Sequence, residues 1–175
     1  MKKKKVVIIT GPKFEDVEVI YPYYRLQEAG YDVDVATSTD AQVVGKHGNP
    51  ISPTLKLKEL NKKDFIAAII PGGHEAPDRV RQKVEVLKFL KAMNASGKII
   101  SSICHGPWVL ISAGLTKGIV ATCYIGMKDD LINSGAHYKK VPVVVAGNII
   151  TSDRPRNMPA WMAKTIELIE KNFSG

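Results

Sequence analysis

The chain has only two cysteines in 175 residues. That is too few for a disulfide scaffold and suits a reducing compartment. Long apolar runs are missing as well. The longest, such as Val6–Ile9 and Val141–Ala146, fall far short of the roughly 20 residues that span a bilayer. The sequence holds neither a G-x-x-x-x-G-K-[ST] loop nor a G-x-G-x-x-G fingerprint, which disfavours nucleotide binding. Its two cysteines and four histidines show no paired ligand spacing, so neither a metal nor a cofactor is expected. Fourteen glycines and ten prolines are scattered without period, which excludes collagen-like and linker-like composition.

Acidic residues are in deficit. Twenty-five Lys and Arg against seventeen Asp and Glu leave +8. The basic residues open the chain as Lys2–Lys5 and are otherwise spread, for example Lys56, Lys58, Lys139 and Lys140. No basic stripe is interleaved with aromatics as single-strand binders need, so the charge reads as solubility and a nucleic-acid partner is disfavoured. Lys2–Lys5 resembles the start of a signal peptide, but Val6–Thr10 is too short for its apolar region and no small-residue cleavage site follows. A cytoplasmic protein without a membrane partner is expected. With 45% hydrophobic and 24% charged residues, residues 1–175 should form one domain around one core.

Strand and helix signals alternate. Lys5–Thr10 is a β-branched apolar run that reads as a strand buried on both faces. Asp16–Ala29 is helical, with Val17, Ile20, Tyr24 and Ala29 on one face and Gly30 as the stop. Tyr31–Thr37 is a second strand, and Ala41–Lys58 suggests a hairpin or small strands at a sheet edge. Phe65–Ile70 and Lys98–Ile103 are strands on either side of a helix carrying Val84, Leu87, Leu90 and Met93. Helix Trp108–Ala113, strand Val120–Tyr124, short helix Lys128–Ser134, hairpin Val141–Ala146/Asn148–Thr151 and helix Pro159–Asn172 complete the chain. The pattern predicts an α/β fold with a mostly parallel central sheet and helices on both faces. Sites in such folds lie beyond the carboxyl ends of the strands, here Gly11–Glu15, Pro71–His74 and Cys104–Gly106.

Cys104 stands between a strand and a helix, with Ser102 before it and Gly106 after it. That is the pattern of a nucleophile elbow, in which a tight turn lifts the side chain above the sheet. His105 beside it is a candidate base or ion-pair partner, and His74 is a second candidate at the neighbouring strand end. The Gly72-Gly73 turn offers backbone N–H groups that, with the N–H after Cys104, suit an oxyanion hole. Glu15 and Asp16 open the first helix. An ionised carboxylate near Cys104 would oppose a thiolate, whereas a protonated one can donate to sulfur. Glu15 is therefore a candidate only with a raised pKa. Cys123 lies in a strand and reads as core; His47 and His137 read as surface residues without a role.

Phe14-Glu15-Asp16-Val17-Glu18 with Tyr21-Pro22, Gly45-Lys46-His47-Gly48, Pro71-Gly72-Gly73-His74, Ser102-Ile103-Cys104-His105-Gly106-Pro107 and Lys128-Asp129-Asp130 together resemble the PfpI branch of the ThiJ/PfpI superfamily. The resemblance implies a flavodoxin-like sandwich. It implies Cys104 as nucleophile, His105 as its partner, Glu15 as the carboxyl on the sulfur, Gly73 and His105 N–H as the oxyanion hole, and Tyr124 as a pocket residue. An acid contributed across a subunit interface falls at Asp78, where the branch has Glu. A homodimer or hexamer is implied with it. The family's activities divide among intracellular cysteine peptidases, glyoxalases, and deglycases acting on glycated adducts. Other members are redox or stress-response proteins with an oxidisable Cys. The expected function is a cysteine hydrolase whose sulfur attacks a carbonyl or aldehyde carbon of a small aldehyde, a glycated adduct or a peptide, with a redox sensor as the alternative.

Overall fold

The computed structural model describes residues 4–173; Lys2 and Lys3 of the basic run lie outside the described residues. The chain runs β1 (Lys5–Thr10), α1 (Asp16–Glu28), β2 (Asp32–Thr37), β3 (Val43–Val44), β4 (Pro50–Ile51), β5 (Ala67–Ile70), α2 (Glu75–Arg81), α3 (Val84–Ala95), β6 (Ile99–Ile103) and α4 (Pro107–Ser112). It continues through β7 (Val120–Ala121), α5 (Lys128–Asn133), β8 (His137–Tyr138), β9 (Val143–Ala146), β10 (Ile149–Ser152) and α6 (Met158–Phe173).

One sheet has the order β2-β1-β5-β6-β10-β9. All its pairings are parallel except β10 with β9. Parallel neighbours need long crossovers, and the helices supply them. The result is the flavodoxin-like order with an antiparallel strand added at one edge. Successive strand residues face opposite sides. Val6 and Ile8 join Val19, Leu26, Trp161, Met162 and Ile169 under α1 and α6. Val7 and Ile9 join Val86, Phe89, Leu90, Val109 and Leu110 under α3 and α4. The apolar runs read in the sequence are apolar throughout because both faces are covered. Among the described residues, no helix is long and apolar enough to cross a membrane.

The structure corrects three readings. The segment 120–124 is a strand only at Val120–Ala121, paired with β8 in a separate two-stranded sheet. Helix α2, immediately after the glycine turn, is additional to the elements read from periodicity. The third correction concerns α1. Its buried residues are Asp16, Glu18, Val19, Pro22 and Leu26, while Val17 and Tyr24 are exposed. The helix is therefore rotated from the face that Val17, Ile20 and Tyr24 suggested, and Glu18 points inward.

Candidate active site

Three adjacent strands, β1, β5 and β6, deliver their carboxyl ends to one place. At the end of β6, Cys104 takes φ +59°, a left-handed conformation that costs energy for a residue with a Cβ. Its N–H donates to Ser152 O at 3.0 Å, and its carbonyl accepts from Tyr124 N–H at 3.0 Å. The turn is thus tied to β10 on one side and to the 122–125 segment on the other. Glycines make room for it. A Cβ on Gly106 would strike Ile70 O and come within 2.5 Å of Ser102 Oγ. On Gly72 it would lie 2.7 Å from Glu18 Oε2 and 2.8 Å from Cys104 Cβ, so the bare backbone of Gly72 lets the carboxyl and the sulfur share one space.

Cys104 is 7% exposed. Its Sγ lies 3.3 Å from His105 Nδ1. Burial, and after it the Glu18 carboxylate, hold the thiol well above its ordinary pKa, while the N–H groups of His105 and Gly73 donate to the sulfur and act in the opposite sense. Gly73 adopts φ +88°, and a Cβ there would sit 2.6 Å from Lys13 O, so the turn that aims this N–H requires glycine. The sequence assigned these two N–H groups to a substrate oxyanion; in this structure they are directed at the Cys104 sulfur.

Glu15 does not occupy the position the sequence gave it. Its carboxylate pairs with Lys46 Nζ at 3.0 Å and lies 3.4 Å from His47 Nε2. The carboxyl on the sulfur is Glu18, one helical turn further. Glu18 is fully buried, Oε2 accepts the Gly72 N–H at 2.6 Å, and Oε1 has no hydrogen-bond partner. Burial pushes this carboxyl up to about 8 despite the Gly72 bond. It meets the condition set for Glu15: an acid that is protonated at neutral pH. The rotation of α1 is the reason, since position 18 lies on the face shared by Pro22 and Leu26.

His105 is also buried, and burial together with the nearby charges of His74 and Lys46 lowers its pKa to about 4. At neutral pH it is an uncharged imidazole able to accept a proton. Three rings surround it: Tyr124 stacked at 4.7 Å, His74 at 4.3 Å and Trp108 at 5.1 Å. The structure thus gathers Cys104, His105, His74, Tyr124 and Gly73. Asp78 is apart from them, exposed on α2, where its carboxylate accepts from Gln82 Nε2 at 3.2 Å.

Lys46 and His47, which the sequence left without a role, are held near the site by Asp16. This carboxylate is 2% exposed. It accepts from His47 N–H at 2.8 Å, Asn49 N–H at 3.0 Å and Asn49 Nδ2 at 2.7 Å. Burial acts to raise its pKa, but these bonds outweigh it and leave the pKa lowered. A loop that turns three donors around one acid leaves no hydrophobic period to read. Among the described residues, no group of three or more His, Cys, Asp or Glu converges as a metal would require.

The family model described as DJ-1/PfpI matches residues 4–168. A protein named as a deglycase from Pyrococcus abyssi is 43% identical over 166 residues, covering 95% of this chain and 99% of its own. The deglycase PfpI of Pyrococcus furiosus is 41% identical with the same coverage. A Bacillus subtilis protein provisionally named as a cysteine protease is 38% identical over 169 residues, covering 95% of this chain and 99% of its own. Among solved structures, Drosophila melanogaster DJ-1beta superposes with a TM-score of 0.87 at 26% identity, covering 97% of each chain.

Proposed function

From the premise that this chain belongs to the DJ-1/PfpI family, we propose that it is a cysteine-dependent hydrolase of deglycase type, acting on small carbonyl adducts. One observation carries this reading: the strained Cys104 sulfur stands between the neutral imidazole of His105 and a carboxyl, Glu18, that retains its proton. Glu18 and Cys104 titrate as a coupled pair, because two adjacent buried anions would repel. A free thiolate is therefore scarce until substrate arrives.

In the proposed reaction the carbonyl carbon approaches Sγ and the thiol proton moves to His105 Nδ1. The S–C bond forms, the C=O π pair moves to oxygen, and the imidazolium returns the proton there. The Gly73 and His105 N–H groups carry negative charge on sulfur as the proton leaves. The carbonyl carbon is that of the α-oxoaldehyde set free when the adduct's carbinol C–N bond breaks and the amine leaves with the hydroxyl proton. His105 then carries the hemithioacetal C–H proton to the neighbouring carbonyl oxygen, and the enediol closes to a thioester, an internal redox step that needs no outside oxidant. Water adds to the thioester carbonyl, the C–S bond breaks, a 2-hydroxy carboxylate leaves and the thiol regains its proton. His74 and Tyr124 wall the approach. The near-complete burial of Cys104 and His105 beneath three rings favours a small aldehyde or glycated side chain over an extended peptide.

Asp78 enters this proposal only as a residue of a second copy of the chain, since within one chain it faces outward. The test is Cys104→Ser, assayed side by side on a methylglyoxal-glycated amine and a fluorogenic peptide. Loss of turnover on the glycated amine, with little peptide turnover in the parent, is expected. Undiminished turnover in Cys104→Ser would overturn the nucleophile. A second reading, a redox sensor, draws on the two N–H groups aimed at the sulfur, which would also hold a sulfinate oxygen. It predicts whole-oxygen mass gains at Cys104 under mild peroxide with no catalysis above thiol background.

A further inference from the structure

His74 lays an exposed ring against a buried one. It follows Gly73, whose φ of +88° turns the chain, and it stands at the start of α2 with an exposed side chain. Its ring centroid lies 4.3 Å from that of His105, with the planes tilted by 47°. His105 is 5% exposed and presents Nδ1 to the Cys104 sulfur at 3.3 Å. One imidazole is thus turned toward the sulfur, and a second borders it on the solvent side.

Release of an amine from a carbinol adduct needs two proton transfers. The hydroxyl must lose a proton as the carbonyl forms, and the nitrogen must gain one, because an amine leaves as a neutral molecule rather than an anion. One imidazole cannot be base and acid in a single step. The nitrogen is one bond, about 1.5 Å, from the carbon that sulfur later attacks, and it carries the bulk of the amine, so it lies toward solvent. Other donors near His105 are engaged or unsuited. Trp108 Nε1 donates to Asp130 at 2.9 Å, and Lys46 Nζ donates to Glu15 at 3.0 Å. Tyr124 stacks its ring on His105, and phenols give up a proton far less readily than imidazolium does. Histidine is the side-chain type that both gives and takes a proton near neutral pH.

Resting on the deglycase reading, we propose that His74 is the general acid for the leaving amine and His105 the base, so that the two adjacent imidazoles open the carbinol adduct together. His105 takes the hydroxyl proton, the O–H pair becomes the C=O π bond, the C–N pair moves to nitrogen, and His74 gives nitrogen its proton. The proton on His105 then passes to His74, and the net change is departure of the amine with the hydroxyl proton. His105 is neutral again for the thiol proton. This role belongs to adducts of amines. A free aldehyde has no leaving group, and a thiol adduct expels a thiolate that needs no acid, because thiols ionise far more readily than amines.

The probes are free methylglyoxal and its freshly formed carbinol adducts with N-acetyl-lysine and N-acetylcysteine, each turned over by the full chain and corrected for spontaneous release. His74→Gln should lose roughly tenfold or more kcat/KM on the lysine adduct relative to its loss on the cysteine adduct or the free aldehyde. Its melting temperature should stay within a few degrees of the parent's, because the ring is exposed. Added imidazole should restore much of the turnover lost on the lysine adduct, and pyrazole, of the same size but far less basic, should not. A residue that only walls the approach would lower all three probes alike and respond to neither azole. Equal losses on the three probes, an undiminished lysine adduct, or a loss that imidazole leaves untouched would overturn this proposal and leave the deglycase reading standing. A parent that turns over the free aldehyde but not the lysine adduct would overturn that reading and this proposal together.

Discussion

Glu18 shows how one side chain sets the pH range of the site. Its ordinary value is 4.5 and its buried value is about 8. Between these values the folded protein binds a proton that the unfolded chain has released. Stability from this residue is therefore fully present below pH 4.5 and is lost as pH rises toward 8. Urea melts across that window should show a declining unfolding free energy in the parent and a flatter profile in Glu18→Gln. The proposed reaction has its own limits. His105 must be unprotonated, which fails below about 4, and Glu18 must keep its proton, which fails above about 8. The kcat/KM profile should be a bell with a broad plateau between the two. Removing the carboxylate charge in Glu18→Gln should extend the alkaline limb, and iodoacetamide should label Cys104 several-fold faster above pH 8 than in the parent. Cys104→Ser should abolish turnover yet keep the melting temperature within a few degrees, since φ +59° burdens either side chain alike.

The elements around these residues work by close approach. Gly72 separates Glu18 from Cys104 by backbone alone. Gly72→Ala should therefore cost on the order of 1–3 kcal/mol through overpacking and abolish activity together, read by melting and by turnover. Asp16 shows the same economy in a loop, since a single buried carboxylate fixes the 45–49 turn. Asp16→Asn faces amide hydrogens toward donors, and a stability loss of about 1–3 kcal/mol, read by urea melts, is expected. What was legible in the sequence follows from this difference. Cys104 was readable because a strand, a small residue and a glycine within a few positions specify an elbow locally. Glu18 was not, because the facing of α1 is decided by what packs on it: Val17 and Tyr24 are apolar but exposed, while Glu18 and Asp16 are charged residues on the buried side. Periodicity alone weighs apolarity and reads such a helix one face off.

For the whole molecule, the sheet was the legible part. Both faces are covered, so β-branched runs such as Lys5–Thr10 mark strands without alternation, and the helix signals between them imply parallel order. Assembly is not written that way, because a surface residue's partner on another copy leaves no period in its own chain. Asp78 is the case in point. It sits exposed on α2, which begins two residues after Gly73, and its carboxylate accepts from Gln82. If it acts on Cys104 from a second copy, activity and association must be coupled. Specific activity should then fall on dilution at the concentration where sedimentation shows the assembly dissociating, and Asp78→Ala should lose activity several-fold with unchanged sedimentation. Gln82→Ala, which frees the carboxylate without removing it, should retain activity. A chain that sediments as a monomer and turns over at full rate would remove Asp78 from the mechanism and leave Cys104, His105 and Glu18 as a site complete within one chain.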